Sequence, residues 1–436
     1  MDIGYALTPA ANITAVRKKT GSKRELILCE AIRQFNHQGY YDTRLEDIGE
    51  AFGLSKTSIS YHFKNKERLL ENAYAATCNF MDTQLADAST ESNGLAKVIK
   101  FFRSFLEVQT AINNGTHNPL ALMSDLSGLA EEDQPVILTR YQQQIENFRA
   151  FLEEGISDNS ISVQSVDAAT FFAFNVLQYI PSWLETIPPR LYDQSIDEFC
   201  DLMTFGLSNL SERPNVMPIS RNPTIDFQDI FDRNARNNMK RDAFLRTGIR
   251  YLNRSGYRNL SLDDIAAELG VTRGALYYQI ADKETFLIEC FNRSCDLIEK
   301  AFDQAQELGG QQTLPKLESA IRLLFENHIT EHDPLIRQNL INMLDKASYT
   351  VVKARINRLK AQYVELLAQG MLDNSIRTIN MEAAEHIIFG TIFAASGRRF
   401  AATQLGNSWH PHSEPVSASA SYFDPLITGF ANSRSG

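Results

Sequence analysis

A short polar stretch, residues 56–62, combines cationic and hydrogen-bonding side chains on what should be one face of a helix. These residues are Lys56, Thr57, Ser58, Ser60, Tyr61 and His62. Ammonium, hydroxyl and imidazole groups can bind the edges of base pairs and the phosphates beside them. The stretch is therefore a candidate surface for reading double-stranded DNA.

Two short helices are predicted to hold this surface in place. Leu45, Ile48 and Phe52 recur at helical spacing and predict the first helix. Gly53 should end that helix, and Ser55 is suited to cap a second one. Two helices joined by a tight turn that contains glycine form a helix-turn-helix. Further helices are predicted before and after this pair.

The chain contains this unit twice. Residues 24–70 align without a gap with residues 241–287, at an offset of 217. Identical pairs include Arg24/Arg241, Asn36/Asn253, Gly39/Gly256, Tyr40/Tyr257, Asp47/Asp264, Gly53/Gly270, Tyr61/Tyr278 and Lys66/Lys283. Residues 151–161 also match residues 366–376 at an offset of 215. The repeat therefore predicts two copies of a head together with the region behind it.

Both heads resemble the DNA-binding domain of the TetR family of bacterial regulators. The shared features are a helix ending in Gly-Tyr, the helix-turn-helix, and Lys-Glu at the start of a long helix. The first head has Ser60 where the family usually has Tyr. The second head has Tyr277 at that position, but Gln279 and Ile280 replace the usual His-Phe. The resemblance implies two TetR-like protomers fused in one all-α chain.

The candidate DNA-binding residues lie on and beside the two predicted reading helices. In the first head they are Arg44, Lys56, Thr57, Ser58, Ser60, Tyr61, His62 and Lys66. In the second head they are Ser261, Arg273, Gly274, Ala275, Tyr277, Tyr278, Gln279 and Lys283. Lys66 and Lys283, each at the start of the next helix, are expected to add charge to helix-end amides that face phosphate.

Six segments are predicted, and all of the structured ones are helical because no alternating strand pattern appears. They are a disordered tail (1–20), a first head (21–81), a first sensor (82–212), a linker (213–229), a second head (230–298) and a second sensor (299–436). The basic end of the tail is either a solvated disordered segment or an arm that reaches phosphate or the minor groove. Residues 404–421 are expected to form a loop, and residues 422–430 a last short helix.

The resemblance implies that each region behind a head binds a small effector and takes part in dimerisation. Residues 166–183 and 381–400 predict helices that are apolar on nearly every face and must be covered on every face. Pairing of the two within one chain is the favoured interpretation, which makes the chain a built-in dimer. The alternatives are pairing between chains, giving a homodimer with four heads, or burial of each helix in a separate core.

An effector pocket is expected to be apolar with a few polar groups. The candidates are Phe101, Phe105, Phe148, Trp183, Phe325 and Phe393, although each of them also suits ordinary core packing. His328, Glu331 and His332 match an inverted zinc-peptidase signature with both imidazoles on one helical face. No third ligand is specified, so a solvated helix end is favoured over a metal-sensing or hydrolytic site.

Charge is segregated along the chain. The net charge is −10, yet residues 17–70 and 233–287 carry +4 each, which leaves −18 for the remainder. Basic heads suit attraction to phosphate. Five cysteines without close spacing are expected to be buried thiols in a reducing compartment. No signal peptide or membrane-spanning run is seen, so a cytoplasmic protein without membrane association is expected.

These observations predict a sequence-specific DNA-binding transcriptional regulator, most simply a ligand-responsive repressor acting on an imperfectly palindromic operator. Its partners would be operator DNA and a small-molecule effector. The alternative is a helical ligand-binding or scaffold protein whose heads no longer bind DNA. No nucleophile-base arrangement, phosphate-binding loop or dinucleotide turn is present, so neither catalysis nor a cofactor or metal is expected.

Overall fold

A computed structural model describes residues 22–123, 126–213, 216–219, 232–310, 312–394 and 415–432. Within them the protein is all-α, with sixteen α-helices and no β-strand beyond two isolated bridges. The all-α prediction is confirmed. The predicted tail (1–20), most of the predicted linker and residues 404–414 of the predicted loop lie outside the described residues.

Each half contributes eight helices in the same order. In the first half they are α1 Lys23–Gln38, α2 Leu45–Glu50, α3 Lys56–His62, α4 Lys66–Ala88, α5 Gly94–Asn113, α6 Gln134–Ser157, α7 Val166–Leu184 and α8 Tyr192–Phe205. In the second half they are α9 Arg233–Ser255, α10 Leu262–Glu268, α11 Arg273–Gln279, α12 Lys283–Gln306, α13 Thr313–Ile329, α14 Lys346–Leu372, α15 Met381–Ala394 and α16 Pro415–Thr428. The helices α4 and α12 cross the predicted boundaries at residues 81 and 298, so each head shares a helix with its sensor.

Local sequence signals set the helix ends of the heads. The Ser55 side chain accepts a hydrogen bond from the Ser58 amide and caps α3, as predicted. Gly53 and Gly270 have φ values of 63° and 65°, which lets the turn between the paired helices reverse tightly. Ile59 is fully buried, so the opposite face of α3 points outward.

Two sequence predictions in the second half are wrong. Residues 415–421, expected in a loop, belong to α16, whose Ser419 is fully buried. Because small side chains allow close helix packing, this Ser-Ala run fits against α7 and α13. In addition, α13 ends at Ile329 and Glu331 has a φ of 53°, so His328 and His332 do not share a helical face. Among the described residues no cluster suited to a metal ion is found.

The helix α7 packs on α15 and α16 of the other half, and α8 contacts the same two helices. Nearly all of α7 is buried, including its polar Asn175. The fit is close, since a Cβ added to Gly390 of α15 would lie 2.6 Å from the ring of Tyr179. The two predicted apolar helices are thus paired within one chain, and the four helices form an internal bundle.

Backbone hydrogen bonds cross this bundle in symmetry-related pairs. The Leu207 amide donates to the Leu426 carbonyl at 2.9 Å, and the Phe430 amide donates to the Met203 carbonyl at 2.9 Å. Residues 203 and 207 correspond to residues 426 and 430 at an offset of 223. The pairing therefore follows a pseudo-two-fold axis, which passes close to Gly206.

A buried polar chain joins three helices of the bundle. Asn175 Nδ2 on α7 donates to the Tyr422 hydroxyl at 3.0 Å, and that hydroxyl donates to the Thr391 carbonyl at 2.9 Å. The Phe325 ring of α13 stacks on Tyr422 with centroids 4.2 Å apart. Because buried polar groups need hydrogen-bond partners, these two hydrogen bonds fix the register of α7 against α15 and α16.

All five cysteines are buried, which confirms the prediction of buried thiols. None of the helices in the described part of the chain combines the length and apolar character needed to cross a membrane.

Glu318 is a fully buried carboxyl on α13, at the position that Ile99 occupies in the first half. Arg322 Nη1 lies 3.6 Å from Glu318 Oε1, too far for a good hydrogen bond. Burial raises the pKa of Glu318 to about 7, against the opposing charges of Arg322 and Arg213. Below about pH 7 the Glu318 carboxyl is therefore mostly protonated in the native state.

We expect Glu318→Gln to flatten the dependence of stability on pH. Between pH 4.5 and about 7 native Glu318 binds more proton than unfolded Glu318, so the wild-type free energy of unfolding falls as pH rises. The variant should gain up to roughly 3 kcal/mol over wild type across this range, measured by urea unfolding at several pH values. Glu131→Gln, at an exposed position, is the control. Parallel wild-type and Glu318→Gln curves would contradict the assignment.

We also expect one chain, not two, in the native particle. The helices that would pair two protomers already cover each other inside the chain, since the described apolar side chains of α7 and α15 are buried against one another. Native mass spectrometry at micromolar concentration should give the mass of a single chain. A stable dimer would show that chain-to-chain pairing also occurs.

Candidate nucleic-acid interface

The reading helices α3 and α11 present their polar faces to solvent. Tyr61 and its counterpart Tyr278 are 87% and 80% exposed, which is unusual for aromatic side chains. The other described side chains of this surface are exposed or half-buried. Exposed phenols next to a cation and hydroxyls suit contact with a charged, hydrogen-bonding ligand such as a DNA groove.

The first cation of each reading helix is paired with an acid of the preceding helix. Lys56 Nζ lies 2.9 Å from Glu46, and Arg273 Nε lies 3.0 Å from Asp263, the residue equivalent to Glu46. The hydrogen bond from Lys56 lowers the pKa of Glu46. The Arg273 guanidinium also lies 5.2 Å from the centroid of the Tyr277 ring. Both cations are thus oriented, although solvent screens these exposed pairs.

Lys66 and Lys283 point into their heads. Lys66 Nζ donates to the carbonyls of Tyr40 and Thr43 at 2.8 Å and 2.9 Å, and lies 4.1 Å from the centroid of the Tyr40 ring. Lys283 Nζ donates to the Arg258 carbonyl at 3.1 Å. Burial lowers the pKa of Lys283. This placement differs from the expected role as charge toward phosphate, because both ammonium groups brace the loop before the helix-turn-helix.

The remaining predicted residues flank the reading helices. Arg44 is exposed at the residue before α2, and Ser261 caps α10 by accepting from the Asp264 amide. Gly274 and Ala275 are exposed in the first turn of α11, which ends at Gln279. In each head the predicted residues therefore lie on the reading helix or in the segments next to it, and the two lysines turn inward.

The first sensor contains a small pocket with a cavity volume of about 40 Å³, partly open to solvent. Its wall is mostly apolar, with a few neutral polar groups, as small-molecule sites commonly are. The lining residues are Thr77, Met81, Phe105, Val108, Gln109, Leu120, Ala121, Leu122, Met123, Tyr141, Phe174, Leu177, Gln178, Ile180 and Pro181. No charged side chain lines it within the described residues.

Among the six aromatic residues predicted for an effector pocket, Phe105 lines this pocket. Trp183 lines a second cleft, beside α8. Phe101 and Phe148 are fully buried and pack on each other, with centroids 5.3 Å apart. Phe325 stacks on Tyr422, and Phe393 stacks on Phe389. Those four are accounted for by core packing in this structure.

An asparagine ties each head to the sensor behind it. Asn36 Nδ2 donates to the Leu120 carbonyl at 2.8 Å, and its Oδ1 accepts from the Leu122 amide at 2.9 Å. Asn253 forms the equivalent pair in the second half at the same distances. Leu120 and Leu122 also line the pocket, so one short segment touches both the head and the cavity.

Several contacts between residues that are distant in sequence were not predicted. Sequence reasoning did not identify Glu46 and Asp263 as acids that pair with the reading cations, nor the role of Asn36. The identity of Asn36 and Asn253 in the repeat was the available signal, because a polar residue kept in both copies calls for a specific partner.

Comparison with known families follows the same division of the chain. The family described as bacterial regulatory proteins, tetR family, matches residues 27–73 and 244–290. The transcriptional regulator RutR of Escherichia coli K12 is 34% identical over 103 residues, which cover 23% of this chain and 47% of RutR. The chain thus spans about half the length of the first relatives it matches.

The transcriptional repressor KstR2 of Mycolicibacterium smegmatis is 28% identical over 198 residues, covering 43% of this chain and 91% of KstR2. The solved KstR2 structure of Mycobacterium tuberculosis is 20% identical, covers 41% of this chain and 93% of its own, and has a TM-score of 0.35. The prediction from the sequence is confirmed on the two matched heads. Both heads of this one polypeptide therefore match the tetR family of bacterial regulatory proteins, and the match covers residues 27–73 and 244–290.

Proposed function

We propose that the protein is a sequence-specific DNA-binding transcriptional regulator, acting as a repressor, whose two heads bind one operator from a single chain. The observation that carries the proposal is the combination of two exposed, chemically unequal reading helices with a sensor bundle that is paired within the chain. Two heads joined in this way can enter successive major grooves about 10 bp, or a multiple, apart. The names of RutR and KstR2 support the same class of activity.

Base readout is assigned to the outward residues of the reading helices. These are Lys56, Thr57, Ser58 and Tyr61 in the first head, and Arg273, Gly274, Tyr277 and Tyr278 in the second. Arg273 is suited to a bidentate pair with guanine, whereas Lys56 offers a point charge. The two half-sites should therefore differ, and the operator should depart from palindromy.

A small neutral, mostly apolar molecule is proposed as the effector, and the pocket of the first sensor as its site. Binding can shift the heads only by the difference between its affinities for two sensor conformations. The segment through Leu120 and Leu122 is the proposed link, because it lines the pocket on one side and is hydrogen-bonded to Asn36 on the other. A ligand in the pocket would displace this segment.

We expect single-head variants to lose affinity for one half-site only. After the operator is located by footprinting, two symmetrised operators are made from its left and right halves. Arg273→Ala should weaken binding to the operator built from its own half-site by roughly 10- to 100-fold, and Lys56→Ala should weaken the other, since one base contact contributes about 1–3 kcal/mol. Fluorescence anisotropy at fixed salt measures both.

Lys97→Ala is the charge-matched control, because Lys97 pairs with Glu154 in the first sensor, away from both heads. It should change neither affinity more than about twofold. Equal effects of Lys56→Ala and Arg273→Ala on both operators would contradict two distinct readers. Absence of salt-dependent binding to any DNA would favour the alternative of heads that no longer bind DNA.

We expect that substituting two pocket residues by the bulkier residues at the equivalent positions of the second half will fill the pocket. Ala121→Ile and Gln178→Phe introduce the residues found at the equivalent positions 336 and 393. Together they should reduce binding of the fluorescent probe N-phenyl-1-naphthylamine by about tenfold or more, since they fill an apolar pocket. DNA affinity without probe should stay unchanged. Unaltered probe binding would place the ligand elsewhere.

A further inference from the structure

The two heads touch each other through the loops that follow α1 and α9. Asp42 of the first head is only 1% exposed, although it is a carboxylate on a surface loop. Its Oδ2 accepts from the Tyr257 amide at 2.8 Å, and its Oδ1 accepts from the Arg258 amide at 2.6 Å. Charge-assisted bonds of this length to backbone amides are among the strong hydrogen bonds of proteins.

Further contacts surround this carboxylate. The Arg258 side chain reaches back to Asp47 of the first head, with Nη2 3.2 Å from Oδ2. A Cβ added to Gly256 would lie 2.6 Å from Asp42 Oδ2, so the second head offers bare backbone to the acid. Asn342, beyond the second head, donates to the His37 carbonyl at 2.7 Å. The contact therefore fixes both position and orientation of the first head.

The contact is not symmetric. The residue equivalent to Asp42 in the second head is Asn259, which is exposed and donates to the Ser255 carbonyl of its own loop. At the junction the first head supplies a buried carboxylate, and the second head supplies two backbone amides. The two loops therefore play unequal parts in this contact.

The contact also leaves both reading faces free. Tyr61 and Tyr278 remain exposed, and neither Lys56 nor Arg273 takes part. A fixed junction between two exposed readers sets the distance and rotation between the grooves they enter. Building on the proposed function, we propose that Asp42 is a specificity-determining residue that sets the spacing of the two operator half-sites.

We expect Asp42→Asn to relax the spacing requirement. Its amide NH2 must face one of the two backbone donors, so the junction loses a bond and its charge without losing volume. With a series of operators lengthened by one or two base pairs at the centre, wild-type affinity should fall at least about tenfold per step, because the second half-site rotates out of reach. The variant should lose only about threefold.

Asn259→Ala is the matched control, since it alters the equivalent loop position outside the junction and should keep the wild-type spacing profile. Arg258→Ala, which removes the ion pair with Asp47, should relax spacing in the same direction as Asp42→Asn. Thermal unfolding of each variant excludes a collapsed head as the cause.

A second measurement does not need DNA. Nitroxide labels on Glu50→Cys and Ala267→Cys, exposed and equivalent positions of α2 and α10, report the distance between heads by pulsed electron resonance. The native cysteines are buried and should stay unlabelled. The distribution of distances between the two labels should be narrow in the protein with native Asp42 and broad in the Asp42→Asn variant.

The possible outcomes distinguish a failure of the spacing inference from a failure of the proposed function. An unchanged distance distribution together with an unchanged spacing profile in Asp42→Asn would overturn the inference while leaving the proposed function intact. A narrow distribution that broadens in the variant, with no DNA bound by wild type at any spacing, would overturn the proposed function and with it the assignment of operator spacing.

Discussion

The pairing of α7 with α15 and α16 is the constraint on which the rest of the molecule depends. A helix that is buried on nearly every face cannot be left exposed, since each uncovered apolar side chain costs about 1.5–3 kcal/mol. Here the cover comes from the other half of the same chain. The two halves of the chain are therefore joined by this packing as well as by the backbone.

Fusion also releases the halves from identity. In a homodimer a substitution appears on both sides of the axis, so a contact on the axis must suit a residue and its own copy. In this chain the axis relates Asp42 to Asn259 and Lys56 to Arg273. The two halves share the order of helices and the hydrogen bonds of Asn36 and Asn253 to the sensors. They differ at the contact between the heads and on the reading helices.

The sensors differ in the same way. The first contains the pocket, whereas equivalent positions of the second carry bulkier residues such as Ile336 and Phe393. In the second sensor the rings of Tyr363 and Phe389 pack with their centroids 4.3 Å apart. A buried Glu318 replaces Ile99 on the neighbouring helix. The two sensors therefore differ in the side chains that occupy equivalent positions.

The sequence by itself determined the helical class, the duplication, the two reading helices and the burial of the cysteines, because each rests on local periodicity, capping or repetition. It misplaced the start of α16, where Ser and Ala are a weak local signal and burial decides. Only the tertiary structure decided that Lys66 points inward, that four predicted pocket aromatics are core, and that Asp42 meets the amides of Tyr257 and Arg258. Those outcomes depend on contacts between residues far apart in the chain, and no spacing rule encodes which distant partner a side chain will reach.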